Sequence, residues 1–340
     1  MKALRVTRVN KIALLDLPSK KAEPGEILLA PIATGICGTD LAIIEGGLDP
    51  AFITYPVTIG HEWVGRVIGH GVGVTNPAIG TRVVVEGVIP CETCSECKSG
   101  ATNRCDLYDE IGFTRDGAAA QEITAPAKLA HPLKDSVSVE SALLVEPAAV
   151  VLQGFHRVLP KAGSKVLIIG DGTIGLLAAK LIRLYEPASV SLLGLRQEQS
   201  ELVKIAGVDH FYTSEEQLTE KYDFIVEGAG ALTAVAAALN HSRRGAHILL
   251  LGYPDHGAKL PVVIDDLINN DLTIHASFSY TQKSWAEIVE LLNSGKIDLS
   301  FIATHKFPLI EWESALATIH GGDHKTNVPR GKVFLTLDVD

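Results

Sequence analysis

Long hydrophobic runs are missing from this chain of 340 residues. No apolar stretch approaches the roughly 20 residues that cross a membrane, and residues 1–16 contain no apolar core of the kind found in signal peptides. We therefore expect a soluble, cytoplasmic protein with no membrane partner. Basic residues are also few, because 30 Lys and Arg stand against 40 Asp and Glu, a net charge of −10. This balance argues against a surface that binds nucleic acid.

Cysteine is scarce, with five residues in the whole chain. An odd number does not suit a secreted disulfide framework. Four of the five fall within fifteen positions, at Cys91, Cys94, Cys97 and Cys105. Four thiolates can complete a tetrahedral shell around zinc with no open position, so this spacing predicts a structural zinc site. An iron–sulfur cluster or four free thiols are the alternatives.

The length fits two domains of about 150 residues each. Up to about residue 130, short β-rich pieces such as 26–31 and 81–85 are separated by Gly and Pro turns, which indicates an antiparallel, loop-rich domain. Between 165 and 277, apolar strand-like runs alternate with helix-like stretches, which predicts an α/β domain with a doubly wound parallel sheet of the Rossmann type. Its strands are expected at 166–169, 190–193, 211–212, 224–226, 248–251 and 272–276. A helix after residue 284 and a strand at 332–337 are expected to return to the first domain.

Three glycines with GxGxxG spacing follow the first strand of this predicted sheet. Gly170 allows a tight turn, Gly172 lets the backbone approach a pyrophosphate, and Gly175 lets the helix pack closely on the strand. Thr173 and Ile174 lie at the start of that helix, whose N-terminus would bind the phosphates. The pattern predicts a dinucleotide-binding loop, the alternative being a glycine turn that binds nothing.

The end of the second predicted strand bears on the choice of nucleotide. An Asp or Glu that binds the ribose is expected there, but the chain has Gly194 and, two residues on, Arg196. Glycine removes a carboxylate that would repel a 2′-phosphate, and the guanidinium can bind that phosphate. We therefore predict NADP rather than NAD. A solvated Arg196 with relaxed use of either cofactor remains the alternative.

A second polar cluster combines the fifth cysteine, Cys37 in the segment GICGTD (35–40), with the segment GHE (60–62). Taken singly, a lone Cys is usually a small buried side chain, and a lone His is usually structural. Together, ahead of a four-cysteine loop and a nucleotide fold, they resemble half of the ligand set of a catalytic zinc.

These motifs give the chain a family resemblance. It resembles the zinc-dependent medium-chain dehydrogenases, in particular the sorbitol, polyol and sugar dehydrogenase branch, through CGTD (37–40), GHE (60–62), the four cysteines (91–105) and GDGTIG (170–175). The resemblance implies a mostly β, GroES-like catalytic domain with two zinc sites, formed by residues 1–152 and 280–340. It implies a Rossmann dinucleotide-binding domain at 153–279.

The resemblance also implies the ligands of the catalytic zinc. Cys37 and His61 would ligate the ion, with Glu62 beside it as a further ligand or exchange partner. A third lasting ligand is expected just before the nucleotide domain, where Glu146 stands 24 residues before Gly170. Sorbitol and sugar dehydrogenases have a glutamate there and simple alcohol dehydrogenases a cysteine, so Glu146 favours the polyol branch. Otherwise Glu146 is a solvated acid at the start of a helix.

The implied reaction oxidises a secondary alcohol and transfers hydride to the nicotinamide, and it can run in reverse. Thr39 would take the proton from the alcohol, and Asp40 would orient His61. The histidine that many relatives carry shortly after CGTD is missing here, where Leu41 and Ala42 follow. This leaves the onward route of the proton open.

The sequence says less about the substrate. The segment 109–122 resembles the corresponding stretch of cyclitol and sugar dehydrogenases and offers Thr114, Arg115 and Asp116 as polar groups, although Arg115 fits a solvated turn residue better. Residues 278–280 read Phe-Ser-Tyr, where sorbitol dehydrogenases tend to have Phe-Arg-Tyr. We rank a sugar, polyol or cyclitol first, L-threonine second and simple alcohols third. A non-catalytic zinc- and nucleotide-binding protein is the remote alternative.

The expected ligands are thus two zinc ions per chain and NADP, with NAD possible in its place, and the expected partner is a small alcohol or ketone. By resemblance, a homotetramer or homodimer would form through edge pairing of the nucleotide domains, and the apolar stretch 272–276 is compatible with such pairing.

Overall fold

The structure is a computed structural model that describes residues 1–254, 256–321 and 328–337. The chain divides into two compact units. The first comprises Met1–Glu146, Thr281–Lys325 and Lys332–Asp340, and the second Pro147–Tyr280 and Thr326–Gly331. Within the described ranges, no helix combines the length and the apolar character needed to cross a membrane.

The described strands are β1 (Lys2–Arg8), β2 (Lys11–Asp16), β3 (Glu26–Ile36), β4 (Val57–Thr58), β5 (Trp63–His70), β6 (Arg82–Val85), β7 (Ile123–Pro126), β8 (Ala130–Pro132), β9 (Lys165–Ile169), β10 (Ser189–Leu193), β11 (His210–Tyr212), β12 (Tyr222–Glu227), β13 (Ser242–Leu250), β14 (Thr273–Ala276), β15 (Ala303–Pro308) and β16 (Lys332–Thr336). The α-helices are α1 (Gly38–Glu45), α2 (Ser95–Lys98), α3 (Val139–Ala142), α4 (Val145–Arg157), α5 (Thr173–Ile182), α6 (Ser200–Ile205), α7 (Leu232–Asn240), α8 (Ile264–Asn269), α9 (Gln282–Asn293) and α10 (Trp312–Ile319).

The first unit is built mainly from antiparallel strands. A seven-stranded sheet runs β15-β16-β3-β5-β6-β8 with β7 also paired to β3, and a smaller sheet runs β2-β1-β4. Only β15 and β16 are parallel among these pairs. The long strand β3 alternates partly and fully buried residues up to Ala33, as expected for a strand with one face in the core. β16 pairs with β3, so the last strand belongs to the first unit.

The second unit contains a six-stranded sheet in the order β11-β10-β9-β12-β13-β14, with every pair parallel. This is the strand order 3-2-1-4-5-6 of a doubly wound dinucleotide-binding fold. Its central strands are nearly continuous apolar runs because helices cover both faces. The predicted fold class, a Rossmann-like parallel sheet with a mostly β domain, is confirmed.

Strand bounds differ from the sequence expectation mainly at β13. The sequence predicted a strand at 248–251, but β13 begins at Ser242, which pairs with Tyr222 on β12. The added residues include Arg243, Arg244 and Gly245, which are exposed. Backbone pairing extends this strand into a polar stretch that hydrophobic periodicity does not detect.

Candidate active site

Three donor side chains of the first unit converge at the ends of β3 and β5. Cys37 follows β3 and caps α1, while His61 and Glu62 immediately precede β5. A ligand atom from each lies within 4.8 Å of the others. The backbone N–H of Gly35 donates to the carbonyl of Glu62 at 2.6 Å, so the pairing of the two strands sets this geometry. A thiol, an imidazole and a carboxylate form a donor set that suits zinc.

Asp40 contacts both the imidazole of His61 and the backbone of Cys37. Its Oδ1 lies 3.4 Å from Nδ1 of His61, and its Oδ2 accepts the backbone N–H of Cys37 at 2.8 Å. Burial opposes ionisation of Asp40, but the charge of His61 and the backbone N–H groups of Cys37 and Gly60 hold the pKa of this carboxyl below its ordinary value. Burial likewise lowers the pKa of His61, but the charge of Asp40 outweighs it and raises this pKa well above the usual range. The carboxylate therefore makes the imidazole more basic, which strengthens it as a ligand.

The hydroxyl of Thr39 lies beside the same cysteine. Its Oγ1 is 3.6 Å from Sγ of Cys37, and the side chain is partly buried in the first turn of α1. A hydroxyl in this position can both accept and donate a proton.

Lys332 is a member of the site that sequence reasoning missed. Its Nζ lies 2.7 Å from Oε1 and 2.5 Å from Oε2 of Glu62, and both side chains are at least 95% buried. Strand pairing sets Val333 opposite Ile36, which brings Lys332 to the end of β3 where Cys37 follows. Burial lowers the pKa of Lys332, but the charge of Glu62 raises it above its ordinary value. The only local sequence signal was a lysine at the start of an apolar strand.

Glu146 lies at the start of α4 and is partly buried. It is not part of the three-residue group whose ligand atoms all lie within 4.8 Å of one another. The pKa of its carboxyl is raised to about 8, mainly by burial; the charges of Glu62 and Glu110 act in the same direction, and those of His61 and Lys332 oppose them.

Glu110 is a second residue that the sequence did not reveal. It is buried and accepts a hydrogen bond from the hydroxyl of Tyr108. Burial raises the pKa of Glu110 to about 7, against the opposing effect of His61. The ring of Phe113 packs on that imidazole, with centroids 5.0 Å apart.

The polar residues predicted near the substrate are bound within the first unit. Thr114 donates to Oδ1 of Asp109 at 2.6 Å. Arg115 forms an ion pair with Glu26 at 3.0 Å. Asp116 is held by Arg5 at 2.8 Å and Lys20 at 2.7 Å, and it also accepts the N–H of Thr58. These contacts give all three residues a structural role.

The four cysteines of the loop also converge. The Sγ atoms of Cys91, Cys94, Cys97 and Cys105 all lie within 4.8 Å of one another. Backbone N–H groups point at the sulfurs, with Cys94 N donating to Cys91 Sγ and Cys97 N to Cys94 Sγ, both at 3.4 Å. The hydroxyl of Thr93 and the backbone N–H groups of Cys94 and Thr93 lower the pKa of Cys91 to about 6, whereas burial raises the pKa of Cys97 to about 12. N–H donors favour thiolates, so the donor set fits a closed zinc site.

The glycine loop of the second unit connects β9 to α5. Gly170 has φ +113°, and a Cβ there would lie 2.9 Å from the backbone N of Ala229. A Cβ at Gly175 would collide with the carbonyl of Gly170. Gly172 is the N-cap of α5, and Thr173 and Ile174 form its first turn. The exposed backbone of this turn fits a pyrophosphate.

Gly194 and Arg196 lie just beyond β10, as predicted, but a further residue joins them. The guanidinium of Arg196 contacts Oδ1 of Asp171 through Nε at 3.0 Å and Nη2 at 2.7 Å. The sequence showed no acid at the end of this strand, yet Asp171 of the glycine loop brings one there. The motif GDGTIG (170–175) contains this aspartate, but its contact with Arg196 is visible only in the folded structure.

An antiparallel unit with two metal-type donor clusters and a parallel-sheet unit with a dinucleotide loop together define a zinc-type dehydrogenase. Residues 23–135 match the family model described as alcohol dehydrogenase GroES-like domain, and residues 173–294 match that described as zinc-binding dehydrogenase. The chain belongs to the zinc-type medium-chain dehydrogenase family, as the motifs predicted.

Relatives in this family include enzymes with different substrates. D-arabinitol dehydrogenase 1 of Uromyces fabae is 29% identical over 329 residues, which cover 93% of each protein. An L-threonine 3-dehydrogenase of Shewanella halifaxensis is 29% identical over 353 residues, covering 99% of this chain and 100% of the relative. A solved zinc-binding dehydrogenase from Sinorhizobium meliloti 1021, bound to NADP, is 26% identical with a TM-score of 0.90 and 99% coverage of both chains.

Proposed function

We propose that this dehydrogenase interconverts a secondary alcohol of a sugar, polyol or cyclitol and the corresponding ketone or lactone, with NADP(H) as the hydride carrier. The observation that carries the proposal is the convergence of Cys37, His61 and Glu62, with Asp40 behind the imidazole and Thr39 beside the thiol. A group of metal-type donors with an adjacent hydroxyl can support alcohol oxidation.

We further propose that the protein holds two zinc ions. The catalytic ion would be held by Cys37, His61 and Glu146, with Glu62 as the exchange partner. The structural ion would be held by the four loop cysteines. None of the five cysteines forms a disulfide, which fits a reducing, cytoplasmic location.

When bound, zinc polarises the substrate oxygen and the nicotinamide accepts the hydride. The residues of the chain handle the proton and the charges. As the carbinol carbon loses its hydride, the hydroxyl loses its proton to Oγ1 of Thr39, which passes its own proton towards solvent. Asp40 holds His61 in one orientation through Nδ1. Lys332 forms a buried ion pair with Glu62 and so places a positive charge beside the donors.

The use of NADP(H) is supported by the glycine loop, by the absence of an acidic side chain at position 194 and by Arg196. The relative from Sinorhizobium meliloti, which carries NADP, agrees with this choice. The proposed catalytic domain (1–152 and 280–340) and dinucleotide-binding domain (153–279) correspond approximately to the first and the second compact unit.

For the substrate, Glu146 and the D-arabinitol dehydrogenase relative support a polyol or sugar. L-threonine is the second candidate, because a threonine dehydrogenase aligns over nearly the whole chain at the same identity.

The test measures formation of reduced nicotinamide by zinc-loaded protein with NADP and NAD across sugars, polyols, cyclitols, threonine and simple alcohols. We expect turnover of a polyol or sugar with NADP preferred. The Cys37→Ser variant should lose turnover and bind one zinc fewer than the parent. Parent-level activity in that variant would overturn the catalytic metal site, and threonine turnover with NAD would overturn both the substrate and the cofactor.

We also propose a homodimer or homotetramer that forms through β14. This strand lies at the edge of the parallel sheet, and Ile274 on it is exposed. An open apolar edge favours pairing with a second copy. The mass of the protein in solution, measured by light scattering, tests this, and a monomer would contradict it.

A further inference from the structure

Asp171 has an unusual place for a residue of a glycine loop, because its carboxylate reaches the neighbouring strand. Asp171 is only 8% exposed. Oδ2 accepts the backbone N–H groups of Leu195 at 2.9 Å and Arg196 at 3.0 Å. Oδ1 accepts Nε and Nη2 of Arg196. Gln199, fully buried, donates Nε2 to the carbonyl of Asp171 at 2.7 Å and fixes the loop from the other side.

Gly194 makes room for this carboxylate. A Cβ at position 194 would lie 2.6 Å from Oδ2 and 2.7 Å from Cβ of Asp171. Such distances do not occur between real atoms without a shift, so a side chain at 194 and the observed position of Asp171 exclude each other. Gly194 therefore does more than leave the end of β10 without an acidic side chain. It also leaves open the space that the carboxylate of Asp171, from the glycine loop, occupies.

This acid is not free to bind a ribose hydroxyl. A carboxylate has about four acceptor positions. Two backbone N–H groups and two guanidinium N–H groups already fill them. The carboxylate of Asp171 therefore interacts with the guanidinium of Arg196 and with the backbone N–H groups that follow β10.

Arg196 is correspondingly restrained. Nη2 also contacts the carbonyl of Asp171 at 3.2 Å, and the side chain is 19% exposed. Within the described ranges, no hydrogen bond involves Nη1 of Arg196. One edge of the guanidinium is therefore used by Asp171, and its positive charge is compensated at hydrogen-bond distance.

We propose that Asp171 determines the cofactor specificity of this protein by neutralising and restraining Arg196, so that a 2′-phosphate has to compete with Asp171 for the guanidinium. This inference rests on the proposed nicotinamide-linked function. Asp171 weakens the preference for NADP that Arg196 confers and leaves NAD as a usable cofactor. A cofactor without the phosphate does not compete for Arg196, and its binding is independent of the pair.

The test uses adenosine 2′,5′-bisphosphate and adenosine 5′-monophosphate as probes, because they report the adenosine site without turnover. Calorimetric dissociation constants are measured for the full-length zinc-loaded parent, Asp171→Asn, Arg196→Gln and the double variant. Asparagine keeps the size and one acceptor oxygen of Asp171 but removes its charge. Fluorescence titration with NADPH and NADH repeats the comparison with whole cofactors, and melting temperatures check that each variant is folded.

We expect Asp171→Asn to bind the bisphosphate about five- to ten-fold more tightly than the parent and the monophosphate about equally, since a freed guanidinium makes a stronger charge-assisted bond. In the Arg196→Gln background the same substitution should have no selective effect. The ratio of dissociation constants of NADH and NADPH should rise in parallel.

Selective weakening of the bisphosphate by Asp171→Asn would overturn the proposal, because Asp171 would then orient Arg196 rather than compete for it. Equal changes for both probes would also overturn it and leave Asp171 a structural role. A parent that binds neither NADH nor NADPH would refute the proposed function itself. A parent that binds both, with unchanged ratios in Asp171→Asn, would refute this inference alone.

Discussion

At the scale of single residues, the pair formed by Lys332 and Glu62 buries two ionisable side chains almost completely. Two charges are removed from water here, and such a pair is tolerated only while both partners are present. This desolvation cost has a functional reason if Glu62 has to carry a charge next to Cys37 and His61. Without Lys332, the negative charges of the cluster would repel one another.

We therefore predict that Lys332→Met destabilises the first unit by about 3 kcal/mol, because Glu62 is left buried and unpaired. All three tryptophans of the chain, Trp63, Trp285 and Trp312, belong to this unit, so tryptophan fluorescence during urea unfolding at fixed zinc concentration measures it selectively.

The matched control is the double variant Lys332→Met with Glu62→Gln, which removes both charges. It should lose less stability than the sum of the two single substitutions, because the partners are coupled. Unchanged unfolding of Lys332→Met would show that the pair contributes nothing to the fold.

At the scale of elements, β9, the glycine loop and α5 form a tightly packed connection in the second unit. A Cβ at Gly175 would collide with a backbone carbonyl that β9 and the loop hold in place. At Gly172, in contrast, nothing lies within 4 Å of the added Cβ, and φ is −86°. Packing therefore excludes a side chain at position 175 but not at position 172.

We predict that Gly175→Ala separates α5 from β9, lowers the melting temperature and weakens NADPH binding at least about ten-fold. Gly172→Ala is the control, since it should keep the parental melting temperature. Circular dichroism and NADPH fluorescence provide the two measurements. A Gly175→Ala protein with parental stability and affinity would show that the contact between loop and helix is dispensable.

The elements of the second unit were predictable because their signals are local. The strand β9, the glycine spacing and the helix α5 all lie between Lys165 and Ile182, and hydrophobic periodicity reports each apolar strand directly. The donors Cys37, His61 and Glu62 were recognisable because each stands in a short motif. Lys332 was not, because only the pairing of β16 with β3 brings it to Glu62, 270 residues away.

Asp171 was missed for a related reason. Its position in the motif was visible, but its contact with Arg196 depends on how closely the loop approaches the end of β10. Glu110 was likewise inconspicuous, because a glutamate in a loop reads as a solvated residue until burial is known.

At the scale of the whole molecule, the two donor clusters of the first unit should have separate effects. The four-cysteine loop contains only short helical segments, α2 and the turn Thr102–Arg104, joined by local backbone hydrogen bonds. A closed metal site supplies folding free energy to such a loop. The cluster around Cys37 instead lies where β3, β5 and β16 already pair, so its geometry is set by the sheet.

We predict that Cys94→Ser and Cys37→Ser each remove one zinc per chain but with opposite consequences. Cys94→Ser should lower the melting temperature by about 5–10 °C because the loop loses its cross-link. Cys37→Ser should melt within about 2 °C of the parent and lose turnover, because the sheet holds the remaining ligands in place. Zinc content by mass spectrometry, melting temperature and initial rates are measured on the same preparations. If Cys37→Ser were the less stable variant and Cys94→Ser kept the parental melting temperature, the assignment of a structural and a catalytic site would have to be reversed.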